Sequence, residues 1–189
     1  MHNILKRLKT QSPQKIFIML YNFIRITLLR LINRKSLKAN IVQNIHPTTE
    51  ISITNGTLEL KNSIFTRRNV TFRVDSGNLK IGTSFFNQGC LITSMKNIVI
   101  GDNCLFGPNV VIVDHDHDYS YLDNKRGCYY LKEDVIIGNN VWVGANATIL
   151  RGSIIEDGAV IGAGTIVKGI VKKNTIVCSK KENIAKDIK

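Results

Sequence analysis

The chain has 189 residues, the length of one ordinary domain with a sizeable buried core. With 26 Lys and Arg against 14 Asp and Glu, its formal net charge is +12, so an anionic partner is expected: nucleic acid, a phosphorylated ligand or a membrane surface. Four cysteines, Cys90, Cys104, Cys128 and Cys178, stand far apart without C-x-x-C spacing, which argues against a zinc site or a disulfide scaffold and fits reduced thiols in a cytoplasmic protein.

The charge is unevenly placed. No Asp or Glu precedes Glu50, whereas Lys6, Arg7, Lys9, Lys15, Arg25, Arg30, Arg34, Lys35 and Lys38 all do, so nine of the twelve excess charges lie in that stretch. Residues 14–34 are predicted as a helix, entered through Ser12 and Pro13 and preceded by a shorter basic helical piece. Asn22, Arg25 and Arg30 break its apolar run, so the roughly 20 apolar residues of a membrane span are missing, and no small-residue cleavage site follows. Neither a span nor a signal peptide is expected. Ile16, Leu20, Phe23, Thr27 and Leu31 are expected to face a core, with Arg25, Arg30 and Arg34 in water. Two readings stay open and both can hold: a helical cap on the main domain or a neighbouring subunit, or an amphipathic element lying peripherally on the anionic inner face of the plasma membrane. Nucleic acid is disfavoured, because no reading motif is present and the charges interleave with large aliphatics. The chain divides into this segment (1–45), a main domain (46–178) and a tail (179–189).

From about residue 51 the pattern becomes short β-branched runs separated by Gly, Asn and Asp. Ile or Val recurs every sixth position at Ile137, Val143, Ile149, Ile155, Ile161 and Val167, with small or β-branched residues four places on at Val141, Ala147, Ser153, Ala159, Thr165 and Val171. The period also runs through Ile100, Phe106 and Ile112, and more weakly through Leu58, Ile64 and Val70. One large aliphatic per six residues predicts a triangular solenoid, an all-β fold whose aliphatics stack inside about 4.8 Å apart, with Gly and Asn at the corners.

The register is lost between Ile112 and Ile137, across a stretch too polar and too long for a flat side, so a loop over 114–134 is expected to leave the coil. His115 and His117 are alternate residues and point the same way if extended. A zinc site would want a third nitrogen or sulfur ligand, and only His2 and His46 remain, neither suitably spaced. A general base is the better reading, since imidazole near neutral pH can take the proton of an attacking hydroxyl. Asp114 or Asp116 is a candidate to orient it, or simply a loop carboxylate.

The run "IGDNCLFGPNVVIV", then an HDH loop, then "VIIGNNVWVGANATILRGSIIEDGAVIGAGTIV" resembles the left-handed parallel β-helix of the hexapeptide acyltransferases, in the branch of the maltose, galactoside and capsular-sugar O-acetyltransferases. The resemblance spans roughly residues 51–177. It implies transfer of acetyl from acetyl-CoA to a sugar hydroxyl, for bacterial capsule or other surface polysaccharide, by direct attack on the thioester. It implies a homotrimer and a sugar, oligosaccharide or lipid-linked saccharide acceptor. Ungapped alignment puts His117 at the family's catalytic position, with His115 beside it. Trp142 matches the edge along which the pantetheine arm lies, or serves trimer packing, and Ala145 matches a backbone oxyanion donor. Ala163, Gly164 and Lys168 match the coil beneath the pantetheine and phosphates. Asp114, Asp116 and Asn109 are the expected acceptor contacts. The family's usual C-terminal loop is replaced by "CSKKENIAKDIK", where Lys180 or Lys181 is a candidate phosphate contact. N-acylation of an amino sugar and a non-catalytic binding solenoid remain as alternatives.

Overall fold

A computed structural model describes residues 13–40, 43–61, 64–121 and 129–179. The shorter basic helical piece, Cys128, Lys180 and Lys181 lie outside them.

Short strands of two to four residues pair in parallel into three faces of a prism. The first face has seven strands, from Leu37–Ala39 and Thr57–Leu60 through Asn97–Ile100 and Val135–Ile137 to Ile170–Val171. The second runs from Phe65–Thr66 to Ile176–Val177 and includes Trp142–Val143. The third runs from Glu50–Ile53 to Ile166–Val167 and includes Val111–Val113 and Thr148–Ile149. The chain visits third, first and second faces in turn, so each circuit adds one strand to each face. This is the all-β solenoid that the six-residue period predicts.

The inward repeat residues form a single column of apolar side chains, among them Ile100, Phe106, Ile112, Ile137, Val143, Ile149, Ile155 and Ile161. In the earlier coils phenylalanines widen it: Phe86 stacks on Phe106 at 4.6 Å and meets Phe72 edge-on at 5.2 Å. Corners turn through left-handed backbone at Asn69, Asn103, Asn109, Asn140, Asn146 and Asn174, because Asn tolerates positive φ better than branched residues do. Gly144 is required for a different reason: a Cβ there would lie 2.6 Å from the backbone nitrogen of Ala163 in the next coil.

Helix α1 (Pro13–Ile32) lies at the start of the solenoid. Its docked face differs from the expected one. Asn22 and Ile26 are buried and Leu29 packs on the core, whereas Leu20, Phe23 and Leu31 are exposed; Ile16's side chain is outside the described residues. The reason is polar anchoring. Asn22 Nδ2 donates to the carbonyl of Ile45 at 2.6 Å, and Arg25, half-buried rather than in water, donates to the carbonyls of Pro47 and Thr49. On a helix apolar nearly all round, periodicity leaves the facing undetermined and these bonds select it. Among the described residues no helix is long and apolar enough to cross a membrane.

Candidate active site

The third-face strand Val111–Val113 ends at Asp114, where the chain leaves the prism as an antiparallel hairpin. His115–His117 pairs with Tyr130–Lys132 in the register His115 to Lys132 and His117 to Tyr130. The solenoid then resumes at Val135–Ile137, paired with Asn97–Ile100 on one side and Ile154–Ile155 on the other, so the insertion leaves the stack unbroken. The expected loop is therefore partly a strand pair, and extended backbone puts alternate residues on one face. The ring of Tyr130 lies 5.6 Å from that of His115 and 4.7 Å from that of His117. Sequence reasoning missed Tyr130; the strand-forming run "YYLK" carries the signal.

Asp114 sits at the root of the hairpin with its side chain closed to solvent. It accepts hydrogen bonds from Ser94 Oγ and from the backbone N–H groups of Met95 and Lys96, each at 2.8 Å, and faces His115 Nδ1 at 3.1 Å. It therefore cannot touch an acceptor sugar, and the histidine it orients is His115 rather than His117. The contact fixes the His115 ring and turns Nε2 away from the carboxylate. His117 is exposed and makes its aromatic contact with Tyr130.

Asp116 points to the other side. Its Oδ2 accepts from Arg151 Nε at 2.7 Å, and Arg151 also pairs with Glu133, just beyond the second hairpin strand. The Arg151 side chain is only 13% exposed, so it works as a clamp between the hairpin and the following coil. Lys96 Nζ meets Asp134 at 2.9 Å, and this hydrogen bond holds the Asp134 carboxyl below its ordinary range.

The donor-side candidates lie elsewhere. Trp142 projects from the second face, 55% exposed, in an outward row with Phe65, Phe85, Leu105, Val160 and Ile176. Ala145, Ala163 and Gly164 occupy the corner between the second and third faces, where Gly164 N donates to the Ala145 carbonyl at 2.7 Å. Among the described residues the N–H of Ala145 donates to no acceptor, whereas that of the next residue, Asn146, bonds Pro108; the Ala163 N–H is likewise unpaired. Asn109 belongs to this corner too, bonding Asn146 at 3.2 Å, and so stands away from the hairpin. Lys168 follows Ile166–Val167 at the far end of the third face, on the hairpin's side. Within one chain, then, the histidines and the Trp142–Ala145–Ala163 surface stand at different corners with the third face between them.

Residues 134–169 match the family described as bacterial transferase hexapeptide (six repeats), and residues 97–113 match the hexapeptide repeat of succinyl-transferase. A putative lipopolysaccharide biosynthesis O-acetyl transferase of Escherichia coli is 32% identical over 50% of this chain and 53% of its own length. The galactoside O-acetyltransferase of the same organism is 34% identical over 59% of this chain and 55% of its own. The chain thus spans about half the length of these curated relatives. Among solved structures, an N-acyltransferase from Bacillus cereus, in complex with dTDP-4-amino-4,6-dideoxyglucose and coenzyme A, superposes with TM-score 0.53 at 17% identity, covering 80% of this chain and 84% of that one. At that identity the likeness is one of fold, the left-handed β-helix.

Proposed function

We propose that this chain, whose residues 134–169 match the bacterial transferase hexapeptide, is a hexapeptide-repeat transferase that moves acetyl from acetyl-CoA to a sugar hydroxyl, in the making of a bacterial surface polysaccharide such as capsule. The observation that carries the reading is the hairpin face on which His115, His117 and Tyr130 meet, where the chain leaves the coil between Val113 and Val135. His117 acts as general base. The acceptor hydroxyl oxygen attacks the thioester carbonyl carbon while His117 takes its proton. The C–S bond then breaks, and the coenzyme A thiolate leaves with that proton. Asp114 and His115 set the geometry of the face on which this happens, and the N–H of Ala145, unpaired among the described residues, is suited to receive the charge that develops on the carbonyl oxygen.

The separation of the histidines from Trp142 and Ala145 favours a homotrimer in which the hairpin of one subunit reaches the second-face corner of the next. The exposed row of Phe65, Leu105, Trp142 and Ile176 gives such a neighbour an apolar surface to cover. Lys168, on the hairpin's side, supplies positive charge for the donor's phosphates. The basic N-terminal segment suits peripheral contact with an anionic membrane on the cytoplasmic side, where a lipid-linked saccharide acceptor would be met.

Labelled acetyl-CoA incubated with the protein and a panel of nucleotide sugars, lipid-linked sugars, amino sugars and polysaccharides tests the proposal. Label in an alkali-labile ester on one sugar class is expected. Label only as an amide on amino sugars would replace O- by N-acylation, and no saturable coenzyme A binding by calorimetry would leave a non-catalytic solenoid.

A further inference from the structure

Where the second half of α1 crosses the edge strand Leu37–Ala39, the molecule has an open groove of about 840 Å³. Arg30, Arg34, Lys38 and Lys61 line it, with Glu59 the one carboxylate among the described lining residues. Glu59 is engaged by Lys80 at 3.5 Å, and among the described residues none of the four cations forms an ion pair. Beside the groove, α1 carries a stripe that the docked face does not use. Phe17, Leu20, Ile24, Leu28 and Leu31 recur at three- and four-residue steps and are each more than half exposed, on the side of the helix opposite Asn22, Ile26 and Leu29. Arg30 and Arg34, four apart, border that stripe on the groove side.

We infer that this groove seats the phosphate of an anionic membrane lipid, with the apolar stripe of α1 laid into the acyl boundary beside it. The inference rests on the membrane contact proposed above and narrows it from diffuse charge to one site. Cations pooled next to apolar surface match a ligand that joins a phosphate to hydrocarbon, and a free phosphate would use only half of the surface. A second copy of this chain is a poorer occupant. The segment before Glu50 has no acidic residue, so pairing two α1 stripes would bring cation towards cation.

The test is flotation of the full chain with phosphatidylcholine vesicles, with and without phosphatidylglycerol. Strong binding is expected only with the anionic lipid. Lys38→Gln with Lys61→Gln is expected to weaken it about tenfold, while Arg67→Gln with Arg68→Gln, which removes the same charge outside the groove, costs no more than about twofold. Equal losses from the two pairs would overturn the groove and leave only diffuse attraction; no flotation of the wild type would overturn the membrane contact itself. Ile24→Asn with Leu28→Asn should reduce flotation at unchanged molecular mass by light scattering. A fall in mass with flotation intact would assign the stripe to a second copy and sink the inference. Excess inorganic phosphate at constant ionic strength should change binding less than about twofold, whereas full displacement would make the ligand free phosphate. Thermal melts of each variant confirm that folded protein is compared, and neither acetyl-CoA nor turnover enters the readout, so the transferase reading stands or falls separately.

Discussion

His115 and His117 share a face but not a surrounding: a buried carboxylate stands behind the first, and the second meets Tyr130 in the open. If His117 is the base, His117→Ala lowers kcat about 100- to 10,000-fold while coenzyme A affinity is nearly unchanged, and His115→Ala acts mainly through acceptor KM. Initial rates at saturating acceptor decide this, and a larger kcat loss in His115→Ala moves the base two residues earlier. Asp114→Ala should be costly for stability rather than specific to turnover. It strips the acceptor from two backbone N–H groups and the Ser94 hydroxyl, so a loss of about 3 kcal/mol or more in denaturant unfolding is expected. The residue types at 114–117 were legible in the sequence, but their partners were not. Asp114 is defined by the corner at Ser94 to Lys96, one coil away, and no local pattern encodes which loop carboxylate folds back into that corner.

The hairpin is the element that carries the proposed chemistry, and Arg151 ties it to the solenoid through Asp116 and Glu133. Arg151→Gln keeps a donor but loses the fork, so it should let the histidine face drift. A fall of about tenfold or more in kcat at unchanged coenzyme A affinity is expected, because small misplacements of a positioned group are expensive in rate. Unchanged kcat would show that the strand pairing alone holds the hairpin. The six-residue period gave away the coils from Ile100 to Val167, since inward aliphatics must repeat with the strand pairing itself, but not the last one, where Val171 stacks on Ile155 only four residues after Val167. It could not report that the interruption is a strand pair, because one short pairing adds no period. Helix α1 was equally visible and its facing was not: Asn22 and Arg25, which read as interruptions of an apolar run, are the groups that dock it.

At the scale of the whole molecule, one column of side chains runs the length of the prism, and thiols within it should be inert. Burial pushes the Cys90 thiol up to about 11 and raises that of Cys104, whereas Cys178 is exposed. Mass spectrometry after alkylation at neutral pH should find Cys178 modified and Cys90 and Cys104 protected until denaturant is added. The sequence disclosed this column, but Asn109 and Lys168 fall at corners that a linear alignment does not separate. The separation of corners makes the central claim testable, since a transferase site built from two subunits can be repaired by mixing. His117→Ala lacks the base, and Ala163→Tyr fills the exposed donor corner; each alone should be nearly inactive. Co-expressed and randomly mixed trimers should regain about a quarter of wild-type acetyl transfer, because about that fraction of interfaces pairs an intact hairpin with an intact corner. Activity no higher than that of either variant alone would contradict a site shared between neighbouring chains.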